Sequence, residues 1–123
     1  MTITRDPHSL GRQGEDLAAA HLAALGLTLI ERNWRDPGGE IDLVAADGDL
    51  LVVVEVKTRR SGRFGHPFEA VDARKILRLH RLALAWLRAH PDAGFHGHRV
   101  DVLGILLPVA GEPTIEHFRA VRP

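Results

Sequence analysis

The sequence predicts an α/β fold, a central mixed β-sheet flanked by α-helices. Three observations predict it. The order of patterns is helix, three strands, helix, two strands. Asp47-Gly48 separates two apolar runs, the signature of a hairpin. Leu50 to Val54 is apolar at every position, as expected for a strand covered on both faces. The 123 residues fit one domain, expected over 10–121 behind a loose lead-in over 1–9.

Each element has a local justification. Leu10, Gly14, Leu17, Ala18, Leu22 and Leu25 recur at helical spacing, with Ser9 as N-cap and Gly26 as the stop. Leu27 to Asn33 is rich in strand formers, and Trp34 to Gly38 reads as a turn or loop through Asp36-Pro37-Gly38. Glu40–Ala46 and Leu50–Lys57 form the hairpin. Thr58 to Pro67 reads as a basic loop. Phe68 to His90 reads as a long helix whose apolar side is Ile76, Leu79, Ala83, Trp86 and Leu87. His98–Leu107 and Thr114–Val121 complete the sheet, the last strand at an edge.

Composition excludes several classes. No cysteine means no disulfide and no thiolate metal site, which suits a reducing cytoplasm. No stretch approaches a membrane span. The formal net charge of zero hides a division. Residues 1–56 hold four basic and ten acidic side chains, whereas residues 57–88 hold nine basic and two acidic. An acidic site beside a basic surface is the arrangement that binds a metal and a polyanion together. Segregated solvated faces are the plainer explanation.

Strand geometry gives the acids a common place. If Asp47-Gly48 is a two-residue turn, Ala46 pairs with Asp49, and Glu40, Asp42, Glu55 and Lys57 fall on one face. Asp42 and Glu55 are then diagonal neighbours. Two carboxylates about 4 Å apart repel by roughly 4 kcal/mol at an effective dielectric near 20. A divalent cation with a taste for hard oxygen, Mg²⁺ or Mn²⁺, relieves that repulsion. A salt-bridge cluster around Lys57 is the structural alternative. Glu15 follows Gly11 and Gly14, two poor helix residues whose presence suggests close approach to a sheet edge or a phosphate. It reads equally as a solvated first-turn acid.

Gly11-x-x-Gly14-Glu15, Asn33-Trp34-Arg35, Gly39-Glu40-Ile41-Asp42-Leu43, Val54-Glu55-Val56-Lys57-Thr58-Arg59, Phe64-Gly65 with Pro67, Lys75, and Arg99-x-Asp101-Val102 together resemble the YraN-type family (UPF0102). These are bacterial predicted endonucleases similar to archaeal Holliday junction resolvases. The resemblance runs from about Leu10 to Val102. It implies the restriction-endonuclease-like fold of the PD-(D/E)xK superfamily, with Asp42 and Glu55-x-Lys57 as the motif and Glu15 as the helix acid. It further implies that Asp42, Glu55 and the Val56 carbonyl hold a metal, with Glu15 bound directly or through water. Lys57 would orient the attacking water or stabilise charge, leaving a 5′-phosphate.

Expected partners follow. Arg59, Arg60 and Arg63 would grip phosphates from the loop, joined by Lys75, Arg74 and Arg78. Arg74, Arg78, Arg81 and Arg88 form nearly one stripe, which also reads as a solvated helix face. Such contacts set affinity without reading bases, so branched or otherwise structured DNA is the expected substrate. Resolving a junction needs two active sites, which is compatible with a homodimer. The alternative is a catalytically silent nuclease fold that binds DNA or a DNA-processing protein. His90, His96 and His98 match no zinc spacing. Asp101, in an apolar strand, needs a structural partner such as Arg99 or a backbone amide.

Overall fold

The computed structural model describes residues 7–61 and 71–123. Residues 1–6, Arg63, Phe64, Gly65, Pro67 and the expected helix start at Phe68 lie outside the described residues. The elements are α1 (Pro7–Ala24), β1 (Thr28–Asp36), β2 (Gly39–Asp47), β3 (Leu50–Arg59), α2 (Ala73–Ala89), β4 (Gly97–Leu106) and β5 (Thr114–Phe118). The sheet order is β1-β2-β3-β4-β5. Among the described residues only β3 and β4 run parallel, with α2 between them in the chain. The α/β class and element order expected from the sequence both hold, and the arrangement is consistent with a restriction-endonuclease-like fold. Among the described residues no helix is long and apolar enough to cross a membrane.

α1 starts earlier than expected. Ser9 lies inside it rather than capping it, because Pro7, with φ preset and no N–H to satisfy, suits the first turn. The helix ends as expected at Gly26 (φ 91), where Gly26 N–H donates to Ala23 O and Leu27 N–H to Leu22 O. Leu25, past the last helical turn, is exposed instead of joining the apolar side. α2 begins behind Asp72, whose carboxylate accepts the Lys75 N–H at 2.9 Å.

The core has two halves, one on each face of the sheet. On the α2 face, Ile76, Leu79, Leu82, Ala83 and Trp86 pack on Ile41, Val44, Leu51, Val53, Val100 and Val102. On the α1 face, Ala18 and Leu22 pack on Leu43, Ala45, Val52, Val54, Leu103 and Ile105. β3 is therefore covered on both faces, as its unbroken apolar run predicts.

Two details of β1–β3 differ from expectation. Trp34 to Asp36 belongs to strand β1, so the turn shrinks to Pro37-Gly38. The β2–β3 turn is Gly48-Asp49, with Asp47 opposite Leu50 and Val44 opposite Val53. Gly48 takes φ 61, the sign a II′ turn requires at its first central position. Asp47 is drawn into the strand end by Arg99, whose Nη1 donates to Asp47 Oδ2 at 2.7 Å. The shift is two residues, so the side-chain faces survive over the paired stretch Leu43–Asp47.

Candidate active site

The β2–β3 ladder ends at Leu43–Val54. Beyond it, β2 stays paired with β1 down to Gly39, and β3 stays paired with β4 out to Arg59. The gap between the two strand ends is a cavity of about 470 Å³. Leu10, Gly11 and Glu15 of α1, Asp42 of β2 and the run Glu55 to Arg59 line it. α1 sits close because Gly14 lacks a side chain: a Cβ there would collide with Thr58 Oγ1. Gly14 thus answers to the sheet edge, while Gly11 has open space beside it and lines the cavity.

Strict alternation along β2 breaks at this point. Ile41 and Val44, three residues apart, both pack on the α2 face, and Leu43 and Ala45 on the α1 face. On β1, Asn33 falls between the paired positions Arg32–Leu43 and Trp34–Ile41, and it takes a left-handed φ of 55. Asparagine tolerates that region better than most residues. The irregularity leaves Asp42 lining the α1-side cavity and lets Asn33 Nδ2 donate to Glu15 Oε1 at 3.3 Å.

Electrostatics set this cluster apart. Extending the register places Asp42 opposite Glu55. Asp42 Oδ2 also accepts the Val56 N–H at 2.8 Å, a group left free by the end of the ladder. Burial, then the Glu55 hydrogen bond and charge, push the Asp42 carboxyl up to about 7. Glu55 is only 8% exposed and lies 3.4 Å from Lys75 Nζ. Lys57 is held below the usual lysine range by burial and by Lys75, against the pull of Glu55 and Asp42. Lys75 is raised: burial opposes its charge, but the Lys57 contact and Glu55 outweigh it. Glu15 is raised by burial and by the Asp42 charge, with Asn33 and Arg32 opposing.

The structure therefore brings Asp42, Glu55, Lys57 and Lys75 together, with Val56 between them and Glu15 on the opposite wall. Among the described residues, no three His, Asp or Glu side chains stand together as a ligand set. Arg59 lines the cavity, and Arg60 follows at the strand end. Among the described residues, Arg59 Nε and both Arg60 Nη atoms are buried without an acceptor. Arg63 lies outside the described residues. Arg74 and Arg78 line a different groove, on the outer side of α2. Two roles are not visible from the sequence pattern. Lys75, expected only to touch nucleic acid, pairs with Glu55. Asn33 stands out in the sequence only within Asn33-Trp34-Arg35, although an asparagine in a strand-forming run is itself a signal of left-handed backbone.

A hard divalent cation fits the donor set. Half-buried Asp42 and buried Glu55 place two carboxyl groups side by side, and their oxygens are hard donors of the kind such an ion prefers.

Comparison with known proteins agrees over most of the chain. The model of a family described as "Uncharacterised protein family UPF0102" matches residues 14–105. A UPF0102 protein of Arthrobacter sp. (strain FB24) is 54% identical over 112 residues, covering 91% of this chain and 94% of that protein. One from Streptomyces coelicolor is 54% identical over 114 residues, covering 92% and 88%. One from Acidothermus cellulolyticus is 51% identical over 120 residues, covering 90% and 91%. With a matching family model and relatives of this similarity along nearly its whole length, the chain belongs to the uncharacterised protein family UPF0102.

Proposed function

We propose that this protein is a metal-dependent endonuclease that hydrolyses phosphodiester bonds in branched or otherwise structured DNA. The observation that carries the reading is the pair of half-buried Asp42 and buried Glu55, lining a cavity and flanked by two lysines. Asp42, Glu55 and the Val56 carbonyl would hold Mg²⁺ or Mn²⁺, with Glu15 reached directly or through water. The bound ion supplies a Lewis acid and acidifies water at neutral pH.

The chain's own groups do the remainder. The Val56 N–H fixes the Asp42 carboxylate. Asn33 holds Glu15 toward the cavity. Lys57 orients the attacking water, and Lys75, kept charged beside Glu55, meets the negative charge that builds on the phosphate oxygens. The water oxygen forms a new P–O bond and the bridging P–O bond breaks. One strand end keeps the phosphate, and the other leaves as an alcohol. Arg59 and Arg60, at the end of β3, hold flanking phosphates, contacts that position DNA without reading bases. A homodimer would offer a four-way junction two such sites, and the cytoplasm is the compartment where that substrate is met.

Supercoiled plasmid and a four-way junction, each with Mg²⁺ or Mn²⁺, test the proposal. The protein should nick or resolve them, and Asp42→Ala should lower the rate by roughly 10³-fold or more at unchanged fold. Equal cleavage by the variant rejects the assignment. Calorimetric Mn²⁺ titration separates this from the silent-module reading: binding lost in Glu55→Gln supports the nuclease. A wild type that binds no metal supports the module, toward which the lack of a third assembled ligand among the described residues points.

A further inference from the structure

The outer side of α2 carries a second basic feature, away from the carboxyl pair. Arg74, Arg78, Arg81 and Arg88 are all exposed and line a groove of about 390 Å³ with Asp36, Gly38, Leu77, Leu82 and Ala85. Four guanidiniums thus face a single carboxylate. Among the described residues, none of the four is in an ion pair or a side-chain hydrogen bond.

A merely solvated helix face mixes its charges, because acids three or four residues from a base stabilise the helix and like charges there weaken it. α2 has no acid anywhere between Ala73 and Ala89. Arg74 even sits in the first turn, where the helix dipole disfavours a cation. The helix is held by its buried face instead, which leaves the outer stripe free to serve a ligand. Every cation in the stripe is arginine, whose planar fork binds a phosphate with two parallel hydrogen bonds. The stripe spans fourteen residues, about 21 Å along the helix axis. That is the axial length of about six base pairs at 3.4 Å each. Leu77, 41% exposed on the groove floor, suits the apolar edge of a deoxyribose rather than a second anion.

The groove shares no lining residue with the candidate site, but the two meet along α2. Arg74, at its start, is the sequence neighbour of Lys75, which touches Glu55. We propose that the α2 groove is a track for the phosphate backbone of a duplex DNA arm, about six base pairs long. Its role as an extension of the cleavage site rests on the nuclease reading; its binding of duplex does not.

The test therefore reads binding without cleavage. Fluorescence anisotropy with a 20-base-pair duplex, in EDTA, is followed from 50 to 200 mM salt. Arg78→Gln/Arg81→Gln should flatten the slope of log affinity against log salt by about 1.8, roughly 0.9 for each phosphate no longer neutralised. Arg122→Gln, distant in sequence and exposed, should leave it unchanged, and a thermal melt verifies each variant's fold. An unchanged slope in the double variant overturns the proposal. So does a wild type that ignores duplex but binds an acidic peptide through these arginines. Slopes that change while Asp42→Ala still nicks leave the track standing and the cleavage assignment fallen. Normal nicking with unchanged slopes does the reverse.

Discussion

Two aspartates, the half-buried Asp42 and the fully buried Asp101, lie on the same sheet and receive opposite treatment. Asp101 is fully buried and its charge is met from three sides. Arg99 Nε donates to both oxygens at 3.1 and 3.3 Å, His117 Nε2 lies 2.8 Å from Oδ2, and the Ala120 N–H donates to Oδ1 at 3.0 Å. Ala120 even takes a left-handed φ of 52 where it presents that amide. Asp42 receives one amide and faces another carboxylate. A buried charge with its full complement of donors is a structural element. A carboxyl left facing its own kind at a cavity mouth marks a candidate functional site instead.

The largest effect expected from breaking this contrast is at Asp101. Asp101→Ala should cost about 3–5 kcal/mol in urea unfolding, because it strands the Arg99 and His117 side chains. Metal affinity of the folded fraction should stay as it was. A loss below about 1 kcal/mol would show that the network does not hold the edge of the sheet.

Asp42→Asn should act in the other direction. The amide oxygen can still accept the Val56 N–H, and its NH₂ can donate to Glu55. The sign follows from linkage: a carboxyl near 3.8 in the unfolded chain and at about 7 when folded destabilises the fold once pH exceeds 3.8, and fully so above 7. The variant should therefore gain about 1–3 kcal/mol at pH 8, discounted for partial exposure, and almost nothing below pH 4. It should bind no Mn²⁺. A destabilised variant at pH 8 would mean that Asp42 is compensated like Asp101.

The smallest effect concerns histidine. His21 Nε2 meets His117 Nδ1 at 3.1 Å, and His80 Nδ1 meets His98 Nε2 at 3.0 Å. Burial, with the facing ring second, holds His21 and His98 below the usual histidine range. Their neutral forms favour the fold, so stability present above pH 6.5 drains away as pH falls below it. Each should contribute under about 1 kcal/mol. His21→Gln/His98→Gln should flatten the melting temperature between pH 7.5 and 5.5. An equal slope would remove these pairs from the account.

Much of this is legible in the sequence. Periodicity marks both helices, and the apolar run Leu50–Val54 marks the central strand. The spacing Asp42…Glu55-x-Lys57 puts the acids and lysine side by side at one end of the hairpin. The misses are of another kind. Gly48-Asp49 displaces Asp47-Gly48 as the turn because Arg99, more than fifty residues away, holds Asp47. Asn33 takes a left-handed φ and β2 loses its alternation between Ile41 and Leu43, and no alternation pattern encodes either. The Lys75–Glu55 pair depends on how α2 crosses the sheet, a matter of tertiary packing.

The single parallel pairing, β3 with β4, has a kinetic consequence. The β1–β2–β3 meander is built from contacts close in sequence, whereas Leu50 meets Gly97 only after the whole crossover is in place. Non-local pairing of this sort is slow. Glu55 and Lys57 lie past the end of the hairpin ladder, and the strand that pairs with them is β4, opposite Val102 and Gly104. A nascent chain that has closed its hairpins still has no assembled acid pair, so competence arrives only with the last long-range step of folding.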